Sequence, residues 1–308
     1  MKKVFIDGRE GTTGLQIYDR LSKRKDISLI TLSEEKRKDV SARKECINQA
    51  DIVFLCLPDN AARESVSLCE NPSTKIIDAS TAHRTADGWA YGFPELSLEF
   101  RKAVATSKRI ANPGCHASGF VSLAYPIVSA GLVGADYPFV AHSITGYSGG
   151  GKKMIAEYEN AERDVELSSP RQYGLTLQHK HLPEMKKICR LSRSPIFNPI
   201  VADFYSGMCV TVPLYTELMK DVKTVNGMKE FLTEFYADAK FISVADGEER
   251  FLASNTFSGT NNMQIYVGGN DEQILLCSRF DNLGKGASGA AVQNMNVALG
   301  LEDDAYLK

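Results

Sequence analysis

An uninterrupted apolar run at residues 52–57, which ends at Pro58, constrains the fold more than any other feature of the chain. Its six residues, Ile-Val-Phe-Leu-Cys-Leu, do not alternate between polar and apolar, which is typical of a parallel strand buried on both faces. Shorter runs predict further strands at residues 4–7, 27–32 and 75–79. Residues 13–23 carry apolar side chains near helical spacing. This order of strand, turn, helix and strand predicts a doubly wound, Rossmann-type α/β domain.

The length of 308 residues is large for a single hydrophobic core and predicts two domains. We expect a dinucleotide-binding domain over residues 1–114, with a C-terminal helix at 284–308 packing back on it. Residues 115–283 are expected to form an α+β substrate domain with a mostly antiparallel sheet. Helices are expected there at residues 154–167 and 225–237.

Composition argues against several classes of protein. The formal net charge of −2 leaves no electrostatic footprint for nucleic acid or an anionic membrane. No apolar run reaches the roughly 18 residues of a membrane span, and the N-terminus lacks the apolar segment of a signal peptide. The seven cysteines are scattered and form no CxxC pair, which predicts a cytoplasmic location without disulfides or bound metal.

A glycine-rich turn follows the first predicted strand. Gly8, Gly11 and Gly14 have the spacing GxxGxxG, a variant of the GxGxxG dinucleotide fingerprint. Glycines let the backbone approach a pyrophosphate, and the N-terminus of the following helix attracts the anion. Together with Thr12 and Thr13, the three glycines are therefore candidate cofactor ligands. A tight turn that binds nothing is the alternative.

The segment after the second strand leaves the choice of nicotinamide cofactor open. Glu34 lies near the position at which an acidic residue holds the ribose of NAD. Ser33 and the basic run at residues 36–38 instead suit the 2′-phosphate of NADP, which makes Ser33 and Arg37 candidate ligands. A solvated loop is equally compatible with these charges.

Cys115 is the candidate nucleophile. It follows Pro113 and Gly114 and opens an apolar run, residues 120–124, that is typical of a helix. A thiol at a helix N-terminus lies near unpaired backbone N–H groups and the positive end of the helix dipole, and both favour the thiolate. The other six cysteines have no such setting.

His179 and His181 are the candidate acid–base pair. Pro183 favours an extended or turn conformation before it, and in an extended segment both rings point to one side. A surface pair is the alternative, and a metal site with Glu184 lacks further ligands. His116 is next to the cysteine, and its side chain is expected to point elsewhere.

A second glycine-rich turn, residues 146–153, suits an anion such as phosphate or carboxylate. It lacks the Walker spacing, so ATP is not indicated. Ser148, Gly149 and Lys152 are its candidate ligands, with a flexible loop as the alternative. Arg84 follows a predicted strand end, where α/β folds bind ligands.

Together these stretches resemble the N-acetyl-gamma-glutamyl-phosphate reductase family. The motifs occur in order over nearly the whole chain, at residues 78–84, 91–96, 111–119, 145–152, 179–184 and 281–289. The short chain and the sequence Cys-His-Ala-Ser, where many members have an aromatic residue after the cysteine, are similar to the shorter, second type of this enzyme.

The resemblance implies NADPH-dependent reduction of N-acetyl-L-glutamyl 5-phosphate to the 5-semialdehyde in arginine biosynthesis. It implies a thioester on Cys115, release of inorganic phosphate, and a homo-oligomer, often a tetramer. It also implies a catalytic domain of the glyceraldehyde-3-phosphate and aspartate-semialdehyde dehydrogenase kind. By family analogy we expect Ser80, Asn282 and Gly284 near the cofactor and Glu184 near the substrate.

Two alternatives stay open at this point. One is a reductase of a related acyl phosphate, of the aminoadipyl or aspartyl type. The other is a regulator that binds NADP without catalysis, against which the complete set of motifs argues.

Overall fold

The computed structural model describes residues 1–307. They form an N-terminal unit, which comprises Met1–Pro113 and the residues from Ala287 onward, and a central unit, Gly114–Gly286. Within residues 1–307 no helix is long and apolar enough to cross a membrane.

A parallel six-stranded sheet forms the N-terminal unit. Its strands in chain order are β1 (Lys2–Asp7), β2 (Ile27–Ile30), β3 (Ile52–Leu55), β4 (Lys75–Asp78), β5 (Ala90–Tyr91) and β6 (Arg109–Ala111). They are arranged in the order β2-β1-β3-β4-β6-β5, and all neighbouring pairs are parallel. The apolar run that predicted a central strand is β3, and all four residues of the strand are buried. The prediction of a doubly wound α/β fold is confirmed.

Four helices connect these strands: α1 (Thr12–Leu21), α2 (Val40–Gln49), α3 (Asp59–Leu68) and α4 (Leu98–Thr106). Asp39 and Ser97 cap α2 and α4, because each side chain accepts a hydrogen bond from a backbone N–H of the first turn. The sequence pattern predicted only α1. Helix α2 buries few apolar residues, so its spacing carried no helical signal.

A buried cluster of polar side chains joins β1, α2 and α3. Arg43 donates to Asp7 Oδ2 at 3.1 Å and to Ser65 Oγ at 2.6 Å. Its other terminal nitrogen donates to Glu64 Oε2 at 2.8 Å. Removing one partner would leave a buried charge uncompensated. The cluster therefore holds α2 and α3 against Asp7, the last residue of β1, where the glycine-rich turn begins.

The central unit contains a mixed seven-stranded sheet. Its strands are β7 (Val140–Gly146), β8 (Arg171–Gln172), β9 (Ile196–Ala202), β10 (Met208–Tyr215), β11 (Ile242–Val244), β12 (Met263–Gly269) and β13 (Gln273–Phe280). The order is β11-β12-β13-β10-β7-β9-β8. The pairs β11–β12 and β7–β9 are parallel and the others are antiparallel, so the predicted mostly antiparallel sheet is confirmed.

The helices of this unit are α5 (Cys115–Ser129), α6 (Gly151–Glu159), α7 (Leu182–Ile188) and α8 (Val225–Phe235). The predicted helix at 154–167 was wrong in extent. Helix α6 ends at Glu159, because Asn160 is extended, and a separate 3₁₀ turn follows at Val165–Ser168. Val165 is 83% exposed and so contributes to no buried helical face.

Helix α5 is the central helix of this unit, and residues 116–127 are all buried. It packs against β10 through Gly119, where a Cβ atom would lie 2.8 Å from Val210 Cβ and 3.0 Å from Phe280 Cε1. This close approach requires glycine and fixes α5 against the sheet.

The C-terminal helix α9 (Gly289–Ala298) belongs to the N-terminal unit, and all ten of its residues are buried. Asn294 on α9 donates to Gly92 O at 2.9 Å and to Asn112 Oδ1 at 3.0 Å. The expected continuous helix at 284–308 was wrong. Residues Gly284–Ser288 form a π-helical turn, and the chain leaves the helix at Gly300, whose φ is +70°.

We predict that Gly119→Ala destabilises the chain by about 1–3 kcal/mol, because the added methyl group forces α5 away from β10. Urea unfolding measures the effect. The matched control is Gly247→Ala, whose Cβ meets nothing within 4 Å. Equal stabilities of the two variants would contradict the close packing of α5.

Candidate active site

The first glycine-rich turn forms a cradle of backbone at the end of β1. Gly8 has φ +85°, and a Cβ atom there would collide with Cys56 O. At Gly14 a Cβ atom would lie 2.5 Å from Gly8 O. Gly11 is the N-cap of α1 and makes no side-chain cap bond. The turn therefore requires glycine at positions 8 and 14, whereas position 11 has room for a Cβ atom, and the two required glycines keep bulk away from the start of α1.

A cavity of about 500 Å³ opens at this turn. The predicted ligands Gly8, Gly11 and Arg37 line it together with Arg9, Tyr18, Leu32, Glu34, Lys38, Arg43 and Pro58. Thr12, Thr13 and Gly14 form the first turn of α1, and Ser33 precedes a 3₁₀ turn, Glu34–Lys36. Arg37, the candidate for the 2′-phosphate of NADP, forms an ion pair at 2.7 Å with Glu34, the candidate for the ribose of NAD.

The loop after β4 is held by its own polar side chains. Ser80 Oγ donates to Asp78 Oδ2 at 2.8 Å, and His83 Nδ1 lies 2.6 Å from the same oxygen. Arg84 donates to Asn112 O at 2.9 Å and to Ala79 O at 3.0 Å. The predicted ligands Ser80 and Arg84 therefore both fix the backbone of this loop.

Cys115 begins α5 as predicted, with Gly114 as the N-cap. The thiol residue is half-buried, whereas Cys46, Cys189, Cys209 and Cys277 are buried. Gly286 packs closely beside it, because a Cβ atom on that glycine would lie 2.9 Å from Cys115 Cβ. All seven cysteines lie within the described residues, and none is in a disulfide.

Glu184, predicted near the substrate, is buried and accepts a hydrogen bond from Gly114 N at 2.8 Å. It lies on the first turn of α7. The carboxylate therefore joins the start of α7 to the residue before Cys115.

The two predicted histidines meet, and of the two conformations expected for their segment, extended or turn, the structure has the turn, at residues 180–181. His181 is helical (φ −88°, ψ −9°) and is the N-cap of α7, with Pro183 in the first turn. The rings of His179 and His181 lie 4.8 Å apart at 86°. A proline in the first helical turn is common and was the signal for this helix.

His116, expected to point away from the neighbouring thiol, belongs to the same cluster, which the sequence pattern did not predict. Its ring lies 5.3 Å from that of His179 and 5.6 Å from that of His181. Its nitrogens lie 2.7 Å from Ser143 Oγ and 2.7 Å from the Tyr173 hydroxyl. Burial, with His179 and Lys180 nearby, lowers the pKa of His116 to about 3, so this ring is neutral near pH 7.

Tyr173 is a residue that sequence reasoning missed. Burial, followed by the charge of Cys115, raises the pKa of its hydroxyl above the ordinary value. The hydroxyl thus lies within electrostatic reach of the thiol. A single tyrosine has no spacing signal, so no pattern in the chain could have identified it.

The second glycine-rich turn is a 3₁₀ turn, Tyr147–Gly150. Ser148 is buried, and its Oγ accepts from Asn282 Nδ2 at 3.1 Å. Asn282 Oδ1 accepts from Gly207 N at 2.8 Å. Asn282, expected near the nicotinamide, thus braces this turn within the central unit.

The remaining predicted ligands are at the surface or in the backbone of the same unit. Gly149 and Lys152 are exposed. Gly284 begins the π-helical turn, where a Cβ atom would collide with Thr260 O. Among residues 1–307, no three His, Cys, Asp or Glu side chains come together as a metal site.

Two family models match the chain. One is described as "Semialdehyde dehydrogenase, NAD binding domain" and covers residues 3–104. The other is "Semialdehyde dehydrogenase, dimerisation domain" and covers residues 115–282.

A protein of Chelativorans sp. (strain BNC1) named N-acetyl-gamma-glutamyl-phosphate reductase is 48% identical, covering 96% of this chain and 98% of its own. A Nostoc sp. protein named N-acetyl-gamma-glutamyl-phosphate reductase 2 is 42% identical, covering 99% of both chains. The chain belongs to the N-acetyl-gamma-glutamyl-phosphate reductase family. The resemblance inferred from the motifs is confirmed.

Solved structures share the fold of this reductase family member. Aspartate semialdehyde dehydrogenase II of Vibrio cholerae superposes with a TM-score of 0.75 at 17% identity, covering 97% of this chain and 99% of that one. The enzyme of Candida albicans, solved with NADP, has a TM-score of 0.69 at 15% identity and covers 96% and 98%. The predicted semialdehyde dehydrogenase architecture is therefore confirmed.

The buried imidazole of His116 and the half-buried imidazole of His179 predict that this reductase family member loses stability in acid. In the folded chain the pKa of His116 is lowered from 6.5 to about 3 and that of His179 to about 4. As the pH falls below about 6.5 the unfolded chain takes up these protons first. The free energy of unfolding should therefore fall, by up to about 1.4 kcal/mol per pH unit for each group. Urea unfolding at a series of pH values measures the slope.

The variant His116→Gln removes one of the two groups. Its slope between about pH 6.5 and pH 5 should be smaller than that of the wild type. A slope identical to that of the wild type would show that the folded chain protonates this ring normally.

Proposed function

We propose that this chain reduces N-acetyl-L-glutamyl 5-phosphate to N-acetyl-L-glutamate 5-semialdehyde with NADPH, in the arginine biosynthesis of the cytoplasm. The carboxylic end of the substrate passes through a thioester on Cys115. One observation carries the proposal: a half-buried thiol begins a helix, and the histidine cluster lies against the first turn of that helix. The relatives bear the name of this activity.

The cavity at the first glycine-rich turn suits a dinucleotide. The glycine cradle at Gly8 and Gly14 leaves room for a pyrophosphate beside the N-terminus of α1. Arg37 and Lys38 line the cavity and are suited to the 2′-phosphate of NADPH. When bound, NADPH supplies the hydride. Arg37 would then exchange its ion pair with Glu34 for one with the 2′-phosphate.

Two features of the chain activate the thiol. The backbone N–H groups of the first turn of α5 favour the thiolate of Cys115 and can also hold the oxygen of a tetrahedral intermediate. His179 and His181 supply the acid–base groups.

The proposed reaction proceeds in two steps, loss of phosphate and then hydride addition. The S–C bond forms and the C–O bond to phosphate breaks, and the thiol proton leaves with the phosphate. Hydride addition to the thioester carbon and breakage of the S–C bond then release the aldehyde and the thiolate, which takes a proton from solvent.

Anionic groups of the substrate need cationic or N–H partners. Arg84, Ser148, Gly149 and Lys152 are the proposed ligands of the phosphate and the carboxylate. Lys152 is exposed in the first turn of α6, which suits a mobile cation that meets an incoming substrate. Glu184 acts on the substrate indirectly, by holding the backbone of Gly114 before the thiol.

The oligomer forms through one face of the seven-stranded sheet. Helix α5 covers Val210, Val212 and Leu276, and these residues are buried. The alternate positions on the other face include Ile144, Ile196, Tyr215 and Leu275, which are 38%, 53%, 53% and 37% exposed. An apolar sheet face of this kind indicates an interface. Since the matching family model is described as a dimerisation domain, we assign the face to a second copy of this chain, with a tetramer as the larger assembly.

The function is tested by a substrate panel in the reverse direction. With NADP⁺ and inorganic phosphate, we expect oxidation of N-acetyl-L-glutamate 5-semialdehyde at a kcat/KM at least about 100-fold above those of aspartate and aminoadipate semialdehydes. Cys115→Ser should lower the rate by about 10³-fold or more, while Cys69→Ser is the matched control. Preference for another semialdehyde favours the related acyl phosphate. NADP binding without any turnover favours the regulator.

The sheet interface is tested by Ile144→Glu and Ile196→Glu. Each places a charge where the partner copy buries apolar surface, so we expect sedimentation velocity to show a shift toward monomer. Val165→Glu, on an exposed 3₁₀ turn, is the control. An unchanged oligomer in both interface variants would place the contact elsewhere.

A further inference from the structure

We infer that the two histidines have different roles: His181 exchanges protons with the Cys115 thiol, while His179 remains neutral and donates its Nε2–H to the substrate oxygen that becomes negative. The inference rests on the proposed function, because it assigns roles within the same site. Sequence alone left the choice of acid–base residue open.

The hydrogen bond at Nδ1 defines the state of His179. The backbone N–H of His181 donates to His179 Nδ1 at 3.2 Å. This nitrogen must therefore carry a lone pair. A neutral imidazole has one N–H, so the proton of His179 lies on Nε2. His179 can thus donate from Nε2, and its accepting nitrogen is already occupied.

Protonation of His179 is opposed by the same contact. A proton on Nδ1 would face the N–H of His181, so the cation would lose this hydrogen bond and place two donors against each other. The charged neighbour in sequence is Lys180, and burial followed by this lysine lowers the pKa of His179 to about 4. The titratable side chains whose rings pack against this ring are His116, His181 and Tyr173.

The ring of His179 is fixed beside the thiol turn. It packs edge-on against His116, the residue after Cys115, with ring centres 5.3 Å apart at 85°. It also packs against Phe197 at 5.2 Å, and Phe197 in turn contacts His116 at 5.2 Å. A donor held rigidly in this way loses little entropy when charge develops on a nearby oxygen, which is the requirement for stabilising an oxyanion.

His181 is held differently. It is the N-cap of α7, and Glu184 on the same turn accepts from the N–H of Gly114, the residue before Cys115. The backbone that carries this imidazole is thereby tied to the backbone that carries the thiol. Of the two histidines, His181 is therefore the one whose position is coupled to that of Cys115.

The division of roles balances the protons of the reaction. His181 takes the proton from Cys115 Sγ as the S–C bond forms and passes it to the departing phosphate oxygen. After the aldehyde has left, His181 returns a solvent proton to the thiolate. His179 transfers no proton in either half. It stabilises the negative oxygen that forms at phosphate loss and again at hydride addition.

The first test compares substitutions of the two histidines. His179→Gln can present an amide N–H near the position of Nε2, so we expect kcat within about tenfold of wild type, whereas His179→Leu should lose about 10²–10³-fold. The acidic limb of the pH–rate profile should be the same in both. His181→Gln should lose about 10²–10⁴-fold together with that limb. Gln178→Asn, exposed in the same segment, is the matched control.

Either of two kinetic results would overturn the inference. One is a His179→Leu variant with the activity of wild type. The other is an acidic limb that disappears on substitution of His179 and persists on substitution of His181.

The second test needs no turnover and so separates this inference from the proposed function. In protein with ¹⁵N-labelled histidine, NMR of the ring nitrogens should show His179 as the neutral Nε2–H tautomer from about pH 8 to about pH 5. The variant His179→Gln assigns the signal. An Nδ1–H tautomer, or titration of His179 between about pH 6 and pH 8, overturns the inference even if the enzyme is active. The expected tautomer in a protein that oxidises no semialdehyde supports the donor state and rejects the proposed function.

Discussion

The arrangement of the thiol site depends on the hydrogen bond from Gly114 N–H to the buried carboxylate of Glu184. A backbone donor at a helix start is one of the groups that the helix itself cannot satisfy, and a charged acceptor makes the bond stronger. The bond joins the beginnings of α5 and α7. Cys115 is the next residue on one side and His181 lies on the same turn on the other. One hydrogen bond between a backbone N–H and the Glu184 side chain therefore ties the proposed nucleophile to the proposed base.

Glycine has a different purpose at each place where the fold requires it. At Gly8 the left-handed conformation and the nearby carbonyl of Cys56 exclude any other residue, and the result is an open cradle at the end of a parallel strand. At Gly119 the conformation is ordinary helix, and the requirement is close packing against Val210. Gly8 leaves space for a ligand, whereas Gly119 lets a helix pack closely against a sheet. The same residue type thus supports binding in the N-terminal unit and rigidity in the central unit.

Local pattern in the chain predicted the features that depend on neighbouring residues. The buried strand β3, the first glycine turn and the start of α5 at Cys115 follow from apolar runs, glycine spacing and helix initiation. Contacts between distant segments were not predictable in this way. The contacts of His116 with Ser143 and Tyr173 were not foreseen, because both partners are far along the chain. The hydrogen bonds of the Asn282 amide to Ser148 and Gly207 were likewise not foreseen. The proline at position 183 left two conformations open for the segment before it, extended or turn, and only the structure decided for the turn.

The composition of the N-terminal unit from two separated stretches of chain has a consequence for biosynthesis on the ribosome. Helix α9 is fully buried in that unit, yet it is translated only after the whole of the central unit. Until α9 has been synthesised, the apolar surface of the parallel sheet that α9 covers stays exposed. The central unit is continuous in sequence, and its synthesis is complete earlier. Vectorial synthesis thus favours maturation of the thiol-bearing unit first. The exposed apolar surface of this sheet is the part of the nascent chain most prone to aggregation.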